Sequence, residues 1–332
     1  MKVLVTGGAG FIGSHLSEAL LERGDDVWAL DDLSTGRLEN IRTFARHPRF
    51  RFLEGTVMDT PTVQGLVSQV DRVYHLAAAV GVKYVLDNPL RSLLTNIRGT
   101  EVVLEACAQH KRRVMLFSTS EVYGKGAKMP FTEDDDRLMG PTHKLRWSYA
   151  YGKAVDECMA QAYWEQQQLP VTTMRCFNTT GPRQTGAYGM VIPNMVLRAL
   201  RGEPILVYGD GEQSRCFSAV SDVVRGTMLL ADSEAAVGEI YNIGTDEEIT
   251  VRRLAERVKE KCESDSPIEH VAYEQIYGRS FEDMRRRVPN LEKIRQAVGY
   301  RPRQGLDQLL ESIIRDVCEQ MGRPVPAGLV RV

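Results

Sequence analysis

Tyr149-Ala150-Tyr151-Gly152-Lys153 places a phenol and an ammonium four positions apart, on one face of any helix that contains them. Such a pair can address one substrate. A free tyrosine titrates near 10, so service as a base near pH 7 needs a shift of about three units, roughly 4 kcal/mol. A neighbouring lysine and the positive ring of an oxidised nicotinamide have the right sign to provide it. A second constellation, Gly7-Gly8-Ala9-Gly10-Phe11-Ile12-Gly13, satisfies GxGxxG from Gly8 and GxxGxxG from Gly7. Glycines between a strand and a helix permit a tight turn and close approach of backbone to a pyrophosphate. The helix start adds free N–H groups and partial positive charge. The next apolar run ends in Leu30-Asp31-Asp32, where a carboxylate can bind an adenosine ribose diol and repel a 2′-phosphate. No arginine immediately follows the pair, although Arg37 is not far, so the expected cofactor is NAD.

The elements that must hold these groups are legible as alternating patterns. Strands are expected at Lys2–Thr6, Asp26–Leu30, Arg51–Leu53, Arg72–Leu76, Val114–Ser118 and Val171–Phe177. Helices are expected at Ile12–Arg23, Thr62–Gln69, Asn96–His110 and Ser148–Gln168. This alternation predicts a Rossmann-type α/β fold, a doubly wound parallel sheet with helices on both faces and right-handed crossovers. Gly124–Gly140, with the acidic run Glu133–Asp136, reads as a loop near the carboxyl end of the sheet, its acidic part solvated and not a metal site. Glycine and proline punctuate 178–218, and the region from 245 onward is charged and helical, with an extended piece near Ile268–Tyr273. The expected division is an NAD-binding domain over 1–177 and a smaller C-terminal α/β substrate-binding domain over 178–218 and 245–332. A strand at Ile240–Ile243, within 219–244, is expected to return to the first sheet.

Composition narrows the class. The 332 residues include 42 basic and 44 acidic ones, a net charge of −2, which argues against a general nucleic-acid binder but allows a local basic pocket. The six cysteines are widely scattered and form neither a CxxC nor a cluster with histidine, so no metal site is expected and reduced thiols are. No apolar run approaches the roughly 18–20 residues that span a bilayer. Met-Lys-Val-Leu-Val is expected to enter a strand at once, and no signal peptide is expected. The expected location is the cytoplasm, with no membrane partner.

Five stretches together resemble the extended short-chain dehydrogenase/reductase superfamily of nucleotide-sugar epimerases, dehydratases and decarboxylases, over nearly the whole chain. They are Thr6–Gly13, His75-Leu76-Ala77-Ala78, Ser118-Thr119-Ser120-Glu121-Val122-Tyr123-Gly124, Tyr149…Lys153, and Arg175-Cys176-Phe177-Asn178 with Gly181-Pro182-Arg183. The resemblance implies that Tyr149 removes a sugar 4-OH proton while hydride passes to NAD. It implies that Ser120 shares that hydrogen bond, and that Lys153 binds the nicotinamide ribose and lowers the tyrosine pKa. Cofactor contacts are implied at Gly7, Gly10, Phe11, Ile12, Gly13, Asp31, Asp32, Leu76, Ala77, Ala78, Asn96, Ser118, Tyr149 and Lys153. Thr56 stands where the superfamily often has an acidic residue touching adenine.

Ser120-Glu121 followed by Val-Tyr-Gly is similar to the UDP-glucuronate decarboxylases and UDP-apiose/xylose synthases. So are Lys144–Ala150, leading into the tyrosine, and Arg287-Val288-Pro289. Substrate contacts are implied at Tyr84, Ser120, Glu121, Asn178, Arg183, Arg215 and Arg287, with Arg215 and Asn178 on the diphosphate. Of the run Arg285-Arg286-Arg287, one arginine is expected to point inward. The implied reaction is decarboxylation of UDP-glucuronate through a 4-keto sugar. Ser120 and Tyr149 would stabilise the enolate, with Glu121 orienting the ring or assisting proton transfer and Arg287 holding the carboxylate or protonating C5. Alternatives on the same intermediate are 4-epimerisation of a UDP-hexose or UDP-glucuronate and 4,6-dehydration. A non-catalytic dinucleotide sensor is the remaining reading. Superfamily members also imply a homodimer through the helices containing Asn96–His110 and Tyr149–Gln168.

Overall fold

A computed structural model describes residues 1–186, 190–277 and 282–329; positions 187–189, 278–281 and 330–332 of the expected second domain lie outside the described residues. The chain opens with β1 (Lys2–Thr6), α1 (Phe11–Arg23), β2 (Asp26–Asp31), β3 (Phe50–Glu54), α2 (Thr60–Val67) and β4 (Arg72–His75). A short α3 (Val82–Asp87) precedes the long α4 (Pro89–His110), then β5 (Arg113–Thr119), α5 (Ser148–Gln167) and β6 (Val171–Cys176). Next come β7 (Thr179–Thr180), α6 (Val191–Arg201), β8 (Ile205–Tyr208), β9 (Ser214–Cys216), β10 (Ser218–Ala219) and α7 (Val220–Ala231). The described chain is completed by β11 (Ile240–Ile243), β12 (Glu248–Thr250), α8 (Val251–Lys261), β13 (Ile268–Val271), α9 (Tyr273–Tyr277), α10 (Glu292–Val298) and α11 (Leu306–Met321).

Seven parallel strands form the main sheet in the order β11-β6-β5-β4-β1-β2-β3. Strand order reverses between β1 and β4, and in such a sheet ligands bind beyond the carboxyl ends of the strands at that point. Both faces are buried, as a doubly wound sheet requires. Val3, Val5, Ala29, Tyr74, Met115 and Met174 face α1 and α7, while Leu4, Leu30, Val73, Val114 and Leu116 face α2, α4 and α5. A separate apolar cluster joins α6, α8, α11 and β8 through Val196, Val207, Leu254, Leu310 and Ile314. Strand β11 pairs in parallel with β6 from Ile240–Thr173 to Ile243–Cys176.

Local chemistry explains several boundaries. α1 ends because Gly24 takes φ +99, a left-handed conformation that satisfies the last carbonyls. α4 begins earlier than the amphipathic pattern suggested, at Pro89, where a proline at the first helical turn forfeits no hydrogen bond. The punctuated stretch 178–218 also contains a full helix, α6, which buries Ile192, Met195 and Val196. The acidic run after Thr132 is not simply solvated. Glu133 accepts from the Asn242 backbone N–H with its carboxylate and from Arg175 with its carbonyl, and so anchors the loop to β11 and β6. Among the described residues no helix is long and apolar enough to cross a membrane.

Candidate active site

One continuous cavity of about 680 Å³ runs from the glycine turn, past the ends of β4 and β5, to the loops around Arg215 and Tyr208. At its first end Gly7 has φ +71, and a Cβ there would lie 2.8 Å from the Ala77 nitrogen. A Cβ on Gly13 would lie 2.0 Å from the Gly7 carbonyl oxygen, so the turn closes only on glycine. α1 starts without a side-chain cap or an acidic residue in its first turn. Its leading N–H groups therefore remain a site for an anion.

Asp31 stands at the end of β2, where its carboxylate accepts from the N–H groups of Ala9 (2.9 Å) and Leu33 (2.8 Å). Burial pushes its carboxyl up from the ordinary range, opposed by those N–H bonds. Asp32 is exposed and bonds Ser34. Phe11, Ile12, Thr56, Leu76, Ala77 and Ala78 line the same compartment. The crowded glycines and the single well-placed carboxylate fit a dinucleotide diphosphate with a free ribose diol. Gly13→Ala is expected to abolish dinucleotide binding, measured by calorimetry, and to lower the melting temperature, because backbone rather than a flexible side chain must yield.

The floor of the cavity is set by buried polar groups. Thr6 Oγ1 lies 2.8 Å from His75 Nδ1 and accepts from the Ala77 N–H at 3.2 Å, which ties β1 to β4 beneath the turn. Burial, with the Lys153 charge adding, holds the His75 imidazole down at about 3, so the ring is neutral at pH 7. Tyr149, in the first turn of α5, lines the cavity together with Ser118, Thr119, Ser120 and Glu121 from the end of β5. Lys153, one turn on, is 2% exposed and donates to Asp156 at 2.8 Å. The Tyr149 phenol is pushed up rather than down: its enclosure dominates, the Glu121 carboxylate adds to it, and the Thr119 hydroxyl opposes.

Glu121 is the centre of an ion-pair cluster. Its Oε2 accepts from Arg146 at 2.5 Å, and its Oε1 accepts from Arg287. Arg287 also donates to Asn178 Oδ1 at 2.5 Å, and Arg146 donates to the Glu282 carbonyl at 2.9 Å. Arg215 pairs with Asp283 at 2.9 Å and lines the cavity beside them. Arg287 is 8% exposed, whereas Arg285 and Arg286 reach outward to Asp210 and Glu248. Arg146 was not singled out from sequence, although it lies inside the quoted stretch before Tyr149. Burial disfavours ionisation of Glu121, but the Arg146 and Arg287 guanidiniums outweigh it and hold the carboxyl well below the usual range. A depressed carboxyl contributes stability that is full above its unfolded value, about 4.3, and is lost as pH falls toward the folded value. Melting temperatures recorded down an acid series are therefore expected to fall less steeply below about pH 4 for Glu121→Gln than for the wild type.

The far end of the cavity is built by the second half of the chain. Leu206 and Tyr208 of β8, Phe217, Val251 and Tyr273 form its walls, with the first turn of α6 beside them. Gln213 Nε2 donates to the Tyr208 carbonyl (2.8 Å) and the Tyr273 hydroxyl (3.0 Å), fixing the two aromatic residues. None of these was named from sequence. An isolated Tyr or Gln in a punctuated stretch carries no spacing signal.

Residues 4–313 match the family model described as GDP-mannose 4,6 dehydratase. The chain belongs to that family. Among curated relatives it is similar to the UDP-N-acetyl-alpha-D-glucosaminuronate decarboxylase of Bacillus cytotoxicus, 41% identical over 95% of this chain and 97% of the relative. It is 36% identical to UDP-glucuronic acid decarboxylase 4 of Arabidopsis thaliana, over 95% of this chain and 68% of that one. Among solved structures it is similar to the dTDP-glucose 4,6-dehydratase DesIV of Streptomyces venezuelae, solved with NAD bound. That likeness has a TM-score of 0.88 at 31% identity, over 97% of this chain and 98% of the other. As a member of the GDP-mannose 4,6-dehydratase family, the protein is an NAD-dependent nucleotide-sugar enzyme.

Within this family member, Tyr84, Asn96 and Lys153 are not among the residues that line the cavity, while Arg183 and Ser118 line it with their polar groups engaged by other side chains. The Arg183 guanidinium bonds Glu18 of α1 at 2.5 Å and lies over the Phe44 ring, away from the Glu121 partners. Its own N–H donates to Asp316 of α11. Tyr84 is half-buried on α3, but the residues of that helix that line the cavity are Val82 and Val85. Asn96 uses its amide on the backbone of Ala79, so it shapes the wall from behind. Ser118 lines the cavity, yet its hydroxyl donates to Glu157 at 2.5 Å, which in turn holds Arg175.

Proposed function

We propose that the protein decarboxylates a UDP-hexuronate, UDP-glucuronate first among them, through a transient 4-keto sugar. The observation that carries this reading is the cluster facing Tyr149. Among the described residues, the guanidiniums of Arg146, Arg287 and Arg215 gather around the carboxylates of Glu121 and Asp283 and make the reaction end rich in cations. Such a cluster suits a sugar bearing a carboxylate at C5. Tyr149 takes the 4-OH proton, with the Ser120 hydroxyl sharing the hydrogen bond. The chemistry supplied by bound NAD is reversible hydride acceptance from C4 and a positive ring that favours the phenolate. Once C4 is a ketone, the C5 carboxylate lies β to it, and loss of carbon dioxide leaves an enolate. The phenol and Ser120 hydroxyl donate to the enolate oxygen, where the negative charge develops. Closing the cycle would take a proton from water at C5 and hydride return to C4, with Tyr149 giving its proton back to the C4 oxygen. Arg287 holds the carboxylate before it leaves, and Glu121, locked as an anion between two arginines, orients Arg287 rather than giving up a proton.

The test is to incubate the protein with NAD and, separately, UDP-glucuronate, UDP-N-acetylglucosaminuronate, UDP-glucose and dTDP-glucose, and to follow product mass. Loss of carbon dioxide from a hexuronate supports the reading. Loss of water from a glucose nucleotide, or isomerisation at constant mass, replaces it with dehydration or 4-epimerisation. The same proposal includes a homodimer in a reducing cytoplasm. It is supported by exposed Leu90 and Leu94 on α4 and Val155 on α5, and by six free cysteines. Light scattering of the purified protein tests the dimer.

A further inference from the structure

Behind Tyr149, α5 carries a buried ion pair that the mechanism above does not use. Lys153 Nζ donates to Asp156 Oδ2 over 2.8 Å, with the two side chains 3% and 0% exposed. A carboxylate removed from water needs its lone pairs met. The Thr100 hydroxyl of α4 is a second hydrogen-bonding neighbour of the Asp156 carboxylate. Holding such an ion pair away from water costs stability, so its place beneath Tyr149 calls for a reason. Its surroundings are specific. Asp156 is faced by Lys153 and Glu157 from its own helix and by Thr100 from α4. Tyr149 is faced by Glu121 from the turn after β5, by Cys176 at the end of β6 and by Asp156 itself. His75, at the end of β4, faces Lys153 and is neutral. Asp156 is therefore the partner that the structure pairs with the lysine charge.

We propose that Asp156 is a positioning residue for the tyrosine–lysine pair, anchoring the Lys153 ammonium under the site and offsetting its charge toward Tyr149. The proposal rests on the reading of Tyr149 as the reacting phenol. With its charge offset, the lysine draws less on the phenol's proton, and Asp156 thereby sets how readily Tyr149 takes and returns it. Asp156→Asn keeps the side-chain size and removes the charge. The first readout needs no substrate: an ultraviolet difference titration of tyrosinate, with Asp156→Asn/Tyr149→Phe subtracted from Asp156→Asn. Its midpoint is expected about one unit below that of the wild type treated in the same way. That is the size of one charge removed about two helical turns away at an effective dielectric of about 20. The acid limb of the kcat profile is expected to move down by a similar amount, with KM for the nucleotide sugar within about twofold. If Asp156→Asn loses its cooperative melt, Asp156→Ser, with a smaller side chain, carries the same titration. A midpoint that stays or rises in the variant that folds overturns the proposal. Turnover retained by Tyr149→Phe would sink the base reading instead, while the titration still decides the fate of Asp156.

Discussion

Tyr149→Phe is expected to reduce turnover of the nucleotide sugar by about three to four orders of magnitude while leaving the fold and NAD affinity unchanged. The substitution removes one oxygen from a group that lines the cavity and keeps the ring that α5 packs in place. Both halves of the proposed cycle lose their proton-transfer group: the base for the 4-OH and the donor to the enolate oxygen. The neighbouring hydroxyls of Thr119 and Ser120 are too weakly basic to take over. The measurement is a single-turnover assay by product mass, paired with calorimetric NAD binding. A loss below about tenfold would move the base elsewhere. Equal loss of cofactor affinity would instead indicate a collapsed site.

Arg287→Ala is expected to lower kcat/KM for a hexuronate nucleotide by at least about a hundredfold, and to lower the melting temperature. Two effects add. On the proposed reading the substrate loses a cation that holds its carboxylate, an interaction worth about 3–4 kcal/mol of transition-state stabilisation. Glu121 loses one of its two partners, and a buried charge left short of counter-charge destabilises the fold. Two controls separate these effects. Binding of a UDP-hexose without a carboxylate should change far less than binding of the hexuronate. Arg287→Lys should recover stability better than rate, because an ammonium cannot reproduce the fork that bonds Glu121 and Asn178 together. If the hexose and the hexuronate weaken equally, Arg287 is a structural arginine.

Much of the scaffold was legible because parallel strands buried on both faces read as short β-branched runs. β1 is recovered residue for residue, and β2, β4, β5 and β6 differ by a residue or so at an end. Helix starts were harder to read. Asn88-Pro89 looks like a break, yet proline is tolerated at the first turn, so two turns of α4 were missed. Site residues divide along a similar line. Glycines and the tyrosine–lysine spacing carry their own geometry and could be placed without coordinates. Arginines could be counted in 285–287 but not aimed, because which one points inward depends on Glu121 and Asn178, far away in sequence. Arg146 was hidden for the same reason. The raised Tyr149 phenol depends on enclosure and on Glu121, and neither can be read from a YxxxK spacing.

The pairing of β11 with β6 bears on how the chain can be divided in the laboratory. Residues Thr173–Cys176 of β6 are met on their outer side because the chain comes back to the sheet between the two halves of the second core. A fragment cut after residue 177 would present Val171, Met174 and their neighbours as an open apolar edge. Unpaired edges of that kind recruit other chains. Excision of a soluble dinucleotide-binding module should therefore carry 219–244 with it, joined by a short linker. The fragment without that segment is expected to aggregate.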